Sequence, residues 1–521
     1  MTNKRYIVEA LLYTSPHAEK ILRSRFNAAH HIYNDFLGEC ERRRKKHISS
    51  ADFKKGIEIL KSGELSEELK EQKKELFQKS RRESGWYLRS AKQYGCNNSL
   101  EQYGSHIHKT WLSKHIDSHT RNSLMDRAFL ASEKVMFGDK TKNKKTGKFE
   151  RPKVRFKRFN KDYILSVQGK SAKSAIKLKG SNIHWLGLKL PIIMPSKDLR
   201  LKFIIDNPEL TTFVRIKREL VKGRWQYFVQ LSCTGVPIKK PGKKFGKGTV
   251  GADIGPSTIA YVSDVSVSLQ TITSLDTGAF KKLISEQKNL QRKIDRQRRK
   301  NNPDNFNDNG TPKRGKKWVT SNRQKRAEGK LANLQRKVAK HRRCEHGILL
   351  NNIRSVGDKL LLDKDSYKGW QQSGYGRSIG RHAPGQLIML AKQKFDLTGG
   401  EVKCINTNIS KSSQTCPNCG HQEKKGKGKI DSRQVRIHDC SNCGYLMQRD
   451  LASALINKHT KDDNTLDVDK SKRFIMDKRP ILQACIKRLI KSAREGQPLP
   501  STFGTLSELE RIACYDNESV R

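Results

Sequence analysis

Two closely spaced pairs of cysteines carry the strongest chemical signal in the sequence. They are Cys416-Pro-Asn-Cys419-Gly and Cys440-Ser-Asn-Cys443-Gly. Each CxxC segment is typical of a knuckle whose glycine lets backbone amides turn towards the thiolates, and two knuckles supply the tetrahedral sulfur set that Zn²⁺ prefers. Redox chemistry would need only one pair at a helix start. The sequence therefore predicts structural zinc, with His421 and His438 near enough in sequence to replace a ligand.

Three aspartates have surroundings suited to binding divalent cations. Asp253 lies among small and apolar strand residues, where a carboxylate is costly unless it is paired or binds a cation. Asp363 ends the apolar run Leu-Leu-Leu, and Asp450 begins a helical pattern just after the last cysteine pair. Two Mg²⁺ ions roughly 4 Å apart require carboxylates from several elements, so we predict a two-metal site. For Asp450, helix capping is the alternative role, while Asp365 can share the strand face of Asp363.

The charge of the chain indicates its partner. The 521 residues carry 107 Lys+Arg against 52 Asp+Glu, a formal net charge of +55. Self-repulsion of this size destabilises a compact chain unless a polyanion neutralises it. We therefore expect a nucleic acid partner, with a merely basic protein as the weaker alternative. No membrane partner is expected, because no apolar run approaches the ~20 residues of a membrane helix.

Cysteine usage indicates the compartment. Eleven cysteines are an odd number, and most lie scattered along the chain, unlike a secreted disulfide framework. The N-terminus lacks the apolar core of a signal peptide. The expected location is the cytosol, with association to the nucleoid.

A basic segment interleaved with aromatic residues is the candidate nucleic-acid contact. Residues 137–160 are punctuated by glycine and proline and nearly free of acidic side chains. Cations suit phosphates and aromatic rings suit stacked bases, although a solvated loop has the same composition. The candidate residues of this segment are Arg151, Lys153, Arg155, Phe156, Lys157 and Arg158.

The first half of the chain must position that segment. Residues 5–14 predict a strand, and residues 15–130 follow a helical period. Residues 162–235 alternate in hydropathy and include a hairpin that turns at Lys222-Gly223, which indicates an antiparallel β domain. The N-terminal strand can join this domain, which would then be discontinuous in sequence.

The second half must position the aspartates and cysteines. From residue 250 the pattern alternates between strands and helices, with helices predicted at 279–300, 321–345 and 384–398 and a strand at 356–363. The tail after about residue 458 is charged, and we expect its last stretch, 496–521, to be weakly ordered.

Four segments in a fixed order resemble one family. They are VGADIG, LLLDKDSYKGW, YGRSIGRHAPGQL and SQTCPNCG…CSNCGYLMQRDLASA. Together they resemble the transposon-encoded TnpB nucleases and their relatives, the compact type V CRISPR effectors. The resemblance is good over roughly residues 245–458 and weaker but consistent upstream. It implies a multidomain α+β and α/β chain with a β-barrel wedge domain, an inserted helical recognition domain and an RNase H-like RuvC domain.

The resemblance also implies domain boundaries. In order, we expect wedge residues 1–14, a helical recognition domain at 15–135, further wedge residues at 136–248, RuvC residues 249–410, a zinc-binding domain for target nucleic acid at 411–447, RuvC residues 448–460 and a charged, partly disordered tail at 461–521.

The activity that the resemblance implies is RNA-guided cleavage of DNA. A guide RNA would open target double-stranded DNA, and Asp253, Asp363 and Asp450 would hold two Mg²⁺ ions in a RuvC-like site beside structural Zn²⁺. Arg449, next to Asp450, would steady the scissile phosphate or form a salt bridge. The sequence leaves a monomer and a homodimer equally open.

One position departs from the family. Asp363 stands where the family normally has glutamate, and aspartate is one methylene shorter. Misplacement of about 1 Å costs around a hundredfold in rate. The first alternative is therefore a guide-directed DNA-binding protein with weakened or lost cleavage. The second is a transposase that also joins strands, against which the cysteine knuckles between the last two aspartates argue.

Overall fold

The chain folds as two compact units, Met1–Lys240 and Pro241–Arg521. Both units mix helices and strands, which confirms a multidomain chain of mixed α and β structure. None of the helices described is long and apolar enough to cross a bilayer. The computed structural model describes residues 4–61, 66–91, 98–138, 141–142, 149–150, 152–158, 163–170, 175–196, 198–239, 242–275, 278–372, 374–423, 436–497 and 499–515.

The first unit begins with one strand, continues as helices and ends as a sheet. Its elements are β1 (Arg5–Leu12), α1 (Pro16–Ser49), α2 (Ala51–Lys61), α3 (Glu67–Ser84), α4 (Leu100–His108), α5 (Ser118–Phe137), β2 (Thr141–Lys142), β3 (Phe149–Glu150), β4 (Ser166–Lys170), β5 (Lys177–Lys179), β6 (Asn182–Trp185), β7 (Leu188–Ile193), α6 (Leu199–Asp206), β8 (Thr211–Val221) and β9 (Arg224–Thr234). The first helix begins where the Ser15 side chain accepts a hydrogen bond from the amide of Ala18, and Pro16 follows at its first position.

A seven-stranded sheet joins both ends of this unit. Its strand order is β4-β8-β9-β1-β7-β6-β5, and β1 pairs antiparallel with both β9 and β7. The N-terminal strand therefore belongs to the sheet although five helices separate it from β4 in sequence. At the predicted β8–β9 turn, Lys222 and Gly223 both have positive φ, 51° and 79°, as a two-residue hairpin turn requires.

The second unit holds the predicted aspartates and cysteines. Its elements are β10 (Thr249–Ile254), β11 (Thr258–Val262), β12 (Val267–Thr271), α7 (Gly278–Asn301), α8 (Asn322–Val356), β13 (Lys359–Asp363), α9 (Tyr367–Gln372), α10 (Gly376–His382), α11 (Pro384–Leu397), β14 (Glu401–Ile405), α12 (Thr407–Ser410), β15 (Ile437–Asp439), β16 (Leu446–Gln448), α13 (Arg449–Lys458), α14 (Val468–Asp477), α15 (Arg479–Arg494) and α16 (Leu506–Cys514). Helix α8 is longer than predicted, and the following strand begins correspondingly later.

A five-stranded sheet with the order β12-β11-β10-β13-β14 organises this unit. Strand β11 runs antiparallel to β10 and β12, whereas β13 runs parallel to β10 and β14. Because side chains alternate along a strand, Val250, Ala252 and Ile254 point into a core shared with residues of α8 and α11. The intervening Gly251 and Asp253 point to the opposite face.

The predicted charged tail forms helices in the part that the structure describes. Helices α14, α15 and α16 bury apolar side chains in the cluster that also contains Cys416, Cys440 and residues of α13. Those tail residues are Phe474, Ile475, Leu482, Cys485, Ile486, Ile490, Phe503, Leu509 and Ile512. Lysine and arginine between the apolar positions lower the mean hydropathy but leave the helical spacing of the buried face intact.

Candidate functional site

The four cysteines of the two CxxC segments converge. Their Sγ atoms all lie within 4.8 Å of one another. Cys416 Sγ lies 3.7 Å from Cys443 Sγ, and Cys419 Sγ lies 3.7 Å from Cys440 Sγ, distances too long for a disulfide. The thiols are therefore free and clustered, as a tetrahedral metal site requires.

Backbone turns hold the two pairs in matching conformations. The amides of Gly420 and Gly444 each donate a 2.9 Å hydrogen bond to the carbonyl of the first cysteine in their knuckle. Both glycines have positive φ, 73° and 66°, which most other residues adopt only with strain. The asparagines cross over, since Asn418 lies 3.6 Å from Cys443 Sγ and Asn442 lies 3.6 Å from Cys419 Sγ.

Hydrogen bonds favour a thiolate in this cluster. Burial opposes ionisation of Cys419, but the backbone amide of His421 and the Asn442 side chain outweigh it and lower the pKa of this thiol to about 7. A thiolate is the form that binds zinc. Within the described parts of the chain, neither histidine named from the sequence belongs to the converging set. The donors thus fit Zn²⁺ with four sulfur ligands.

Asp253 and Asp363 lie on neighbouring parallel strands. The register pairs Gly251 with Leu361 and Ala252 with Leu362, so one position further along, the two aspartates follow side by side. Adjacent strands lie about 4.8 Å apart, and side chains at matching positions share a face. The sheet therefore brings together two acids that are 110 positions apart in the sequence.

Asp450 reaches the same face from a helix. Strand β16 leads from the second cysteine knuckle directly into α13, where the Gln448 side chain caps the helix by accepting from the amide of Leu451 at 2.9 Å. Asp450 is thus in the first helical turn but is not the cap. A Cβ atom at Gly251 would lie 2.1 Å from the carbonyl oxygen of Ala454, so α13 lies directly against β10.

A cleft of about 600 Å³ opens at this point. Asp363 is only 7% exposed, and its Oδ2 accepts a 3.0 Å hydrogen bond from the Ser412 hydroxyl. The Asn457 side chain also hydrogen-bonds this carboxyl group and opposes the rise in its pKa that burial causes. The residues lining the cleft include Asp253, Asp363, Asp365, Trp370, Tyr375, Lys411, Ser412, Arg436, Arg449, Asp450, Ser501 and Thr502.

The clustered carboxylates oppose one another's ionisation. Burial, and then the neighbouring Asp450, Asp363 and Asp365, raise the pKa of Asp253 well above its usual range. Burial also raises the pKa of Asp363 and Asp450. The carboxylate oxygens of the described aspartates do not come together within 4.8 Å of one another as the four cysteine Sγ atoms do. A cation in the cleft would relieve this repulsion.

Two arginines lie beside the acids. Arg449 Nη2 is 3.5 Å from Asp450 Oδ1, a long contact for an ion pair, and its amide donates to the carbonyl of Arg436 at 2.9 Å. Burial, followed by repulsion from Arg449, lowers the pKa of Arg436. Neither Arg436 nor Ser412 was singled out from the sequence, because both reach the cleft through tertiary folding.

The basic segment of the first unit lies against α1. Asn34 holds the backbone of Lys157 through two hydrogen bonds, one donated and one accepted, at 2.7 and 3.0 Å. Phe156 is 51% exposed and lines a groove of about 570 Å³ together with Lys153, Arg42, Arg44 and Lys45. Arg155 and Arg158 are exposed, and Arg151 lies outside the described residues.

One part of the chain matches a known family. Residues 385–456 match the family model described as "Cas12f1-like, TNB domain". This segment contains all four clustered cysteines and Asp450. The resemblance to compact type V CRISPR effectors is thereby confirmed over these residues. No curated protein matches the chain in sequence.

Two solved structures align over most of the chain. The first, a Cas12f1–sgRNA–target DNA complex, is 12% identical over 87% of this chain and 98% of that chain, with a TM-score of 0.40. The second, a CRISPR-Cas12f ternary complex, is 14% identical over 88% and 99%, with a TM-score of 0.29. At TM-scores below 0.5, neither alignment establishes a common fold.

Proposed function

We propose, from the premise that residues 385–456 form a Cas12f1-like segment, that the chain is an RNA-guided DNA endonuclease with one RuvC-like site. The observation that carries the proposal is the convergence of Asp253, Asp363 and Asp450 from two strands and a helix into one cleft. Phosphodiester hydrolysis by clustered carboxylates is the chemistry that this arrangement suits.

The sheet of the second unit supports an RNase H-like assignment. The central strands β10 and β13 are parallel, with the antiparallel hairpin β11–β12 on one side and the parallel strand β14 on the other. The first acid, Asp253, lies on the first strand of this sheet, β10. We assign β10–β14 with α13 to a RuvC-like domain, the cysteine knuckles to an inserted zinc-binding domain and the seven-stranded sheet to a wedge domain around the helical insertion.

The acids of the cleft fit Mg²⁺. Hard oxygen donors suit this cation, and three carboxylates line the same cleft. Asp253, Asp363 and Asp450 would hold the metal, and the chemistry supplied by bound Mg²⁺ is activation of water and stabilisation of the leaving 3′ oxygen. We also assign structural Zn²⁺ to the four cysteines.

The remaining cleft residues prepare the site. Ser412 fixes one carboxylate oxygen of Asp363. Arg449 and Arg436 place positive charge beside Asp450, where it would attract the phosphate of a bound strand. Trp370 and Tyr375 line the same cleft and offer faces on which a base can stack.

The expected substrates are a guide RNA and the DNA duplex it selects. The net charge of +55 suits a long heteroduplex recognised through its backbone and shape, while base pairing supplies sequence specificity. Lys153 and Phe156 line the groove of the first unit and are the best-placed of the candidate nucleic-acid contacts in the basic segment. Arg155, Lys157 and Arg158 remain candidate contacts on the same segment.

A guide-directed DNA-binding protein without cleavage is the second candidate. It is favoured by the short side chain at Asp363, which is buried and fixed by Ser412. A glutamate at this position would extend one methylene further into the cleft. The two candidates predict the same binding and differ only in the products.

The deciding experiment uses the ribonucleoprotein. The full chain is purified with its RNA, the RNA is sequenced, and matching duplex DNA is incubated with Mg²⁺. We expect one defined RNA species and cleavage that Asp253→Ala abolishes and the exposed Asp463→Asn does not. If the Asp363→Glu variant cleaves the DNA and the wild type does not, the wild type is a DNA-binding protein without cleavage. Random RNA fragments in place of one defined species would contradict guided recognition.

A further inference from the structure

The polar insertion between α7 and α8 is a closed loop. This hairpin tip comprises residues 302–321, and the two helices that lead to it pack along each other. The buried Asn302 side chain donates to the carbonyl of Val319 at 2.9 Å and accepts from its amide at 2.6 Å. It also donates to the carbonyl of Arg298 at 2.9 Å. One amide group therefore joins both ends of the tip to the end of α7.

Stacked rings brace the tip from within. The Arg298 guanidinium lies over the Trp318 ring at 3.9 Å, and the Arg299 guanidinium lies over the Phe306 ring at 4.6 Å. The two rings meet edge to face, with their centroids 5.4 Å apart. A guanidinium group is attracted to the face of an aromatic ring, so both arginines stabilise the loop itself.

The tip presents further cations to solvent. Four exposed side chains have no ion-pair or hydrogen-bond partner among the described residues, and they are Lys313, Arg314, Lys316 and Lys317. A closed and braced loop keeps these like charges close together, and their repulsion disfavours that arrangement. An anion that carries several charges in a row would remove the repulsion.

A row of cations leads along α7 to the tip. At about 100° per residue, four exposed side chains share one side of the helix within an arc of about 80°, and they are Lys281, Lys288, Arg292 and Arg296. Ile284 on another side of the helix is buried against Val338 of α8. The row spans roughly 22 Å along the helix axis, and duplex nucleic acid carries one phosphate charge per about 1.7 Å of its axis. This basic row therefore suits a nucleic-acid backbone laid along the helix.

We infer that the basic row and the hairpin tip form a binding surface for the phosphate backbone of a duplex nucleic acid that lies along α7. None of the row or tip residues lines the cleft of the aspartates. Helix α7 has 24 residues, so the tip lies about 36 Å from its first residue. Backbone contacts of this kind position a duplex without reading its sequence. The inference rests on the proposed function only for the source of the duplex, which is folded guide RNA or the guide–target duplex.

Charge removal at the tip tests this surface. One variant combines Lys313→Gln, Arg314→Gln, Lys316→Gln and Lys317→Gln. Fluorescence anisotropy measures binding of the RNA-free, zinc-loaded full chain to DNA and RNA duplexes of mixed sequence over a range of salt concentrations. We expect affinity for both duplexes to fall about tenfold or more, and the slope of log K against log salt on DNA to become shallower by about 3, because each phosphate contact contributes about 0.9.

The matched control removes the same charge from the tail helices. It combines Lys472→Gln, Arg473→Gln, Lys487→Gln and Lys491→Gln, all at exposed positions, and it should bind the duplexes nearly as the wild type does. A further variant, Asn302→Ala, keeps every cation but removes the amide that closes the tip. It should also weaken duplex binding, while circular dichroism shows that the chain remains folded.

The ribonucleoprotein identifies the source of the duplex. Guide retention and target binding are measured separately for the tip variant. Loss of guide RNA assigns the surface to folded guide, whereas loss of target binding with the guide retained assigns it to the guide–target duplex. Equal duplex binding by the tip variant and the tail control, with cleavage unchanged in both, would overturn this inference alone. A wild-type chain that binds no nucleic acid would contradict the proposed function itself.

Discussion

Asn457 Nδ2 donates a 2.9 Å hydrogen bond to the main-chain carbonyl of Ala252. This buried contact ties the helix that carries Asp450 to the strand that carries Asp253. At the preceding residue of the strand, Gly251 leaves no room for a side chain between the same two elements. The relative position of the two acids is therefore set by backbone contact between α13 and β10.

This contact makes Gly251 sensitive to substitution. In Gly251→Ala the new methyl would lie 2.1 Å from the carbonyl oxygen of Ala454 and 2.2 Å from the amide nitrogen of Lys458. Because both are main-chain atoms, the helix must move, and we expect cleavage to fall about a hundredfold with a lowered Tm.

The control for that prediction is Gly347→Ala. Gly347 lies in α8, and a Cβ atom there would meet nothing within 4 Å. Alanine is favoured over glycine inside a helix by about 1 kcal/mol, so this variant should be slightly more stable than wild type and fully active. Equal behaviour of the two variants would contradict the close packing of α13.

Zinc removal should destabilise the second unit as a whole rather than only its knuckles. The helices of the tail contact both knuckles, since the Ser471 hydroxyl donates to the carbonyl of Pro417 at 2.5 Å and the Tyr515 hydroxyl to that of Gly444 at 2.7 Å. We expect Cys416→Ser to lose bound zinc, measured by metal analysis, and several degrees of Tm. The exposed Cys344→Ser should change neither quantity.

The acids of the cleft should destabilise the metal-free protein as pH rises. Burial raises the pKa of Asp253, and burial with the nearby Asp363 raises that of Asp365 to about 6. A carboxyl group whose pKa is higher in the folded than in the unfolded chain gives stability at low pH that is lost as pH rises through the folded value. We expect Asp253→Asn without Mg²⁺ to exceed the wild type in Tm at pH 7, with a smaller difference at pH 5.

Added Mg²⁺ provides the complementary measurement. Because a ligand that binds only the folded state stabilises it, Mg²⁺ should raise the Tm of the wild type and leave Asp253→Asn nearly unchanged. The comparison is made at constant zinc, which affects both proteins equally. If the Tm of the wild type instead rose relative to that of Asp253→Asn between pH 5 and pH 7, the pH dependence would have the opposite sign. That result would argue against repulsion within the acidic cluster.

The tail should be required for stability of the second unit. Leu509 on α16 is fully buried in the cluster that includes Cys416 and Leu451. Truncation of a buried leucine to alanine costs about 2–5 kcal/mol, so Leu509→Ala should lower the free energy of unfolding by that amount in urea. Met476→Ala, at a residue 65% exposed, is the control and should change it little.

Phe156 should contribute to RNA affinity. The ring is exposed above Gly38 and beside Lys153 in the groove on α1. Stacking of a base on an aromatic ring is worth about 1–3 kcal/mol, so Phe156→Ala should weaken RNA binding about tenfold in a filter-binding titration. Leu220→Ala, at a similarly exposed apolar residue on β8, should not, and equal weakening by both would point to a general loss of fold.

Local sequence determined the chemistry of this protein to a large extent. The CxxC spacing predicted a sulfur cluster because ligands three residues apart on a tight turn need only local geometry to converge. The small and apolar residues around Asp253 predicted a strand that carries it, and the charge of +55 indicated a polyanionic partner. Each of these signals is contained within a short segment or in the composition of the whole.

Only the tertiary structure decided how distant residues meet. The parallel register of β10 and β13 placed Asp253 beside Asp363, and the hydroxyl of Ser412 and the guanidinium of Arg436 reached the cleft from other elements. The helices of the tail were not predicted because their apolar residues gain stability only against a surface that β11, β12 and the cysteine knuckles build together. Such contacts depend on long-range packing, which a local pattern of residues does not encode.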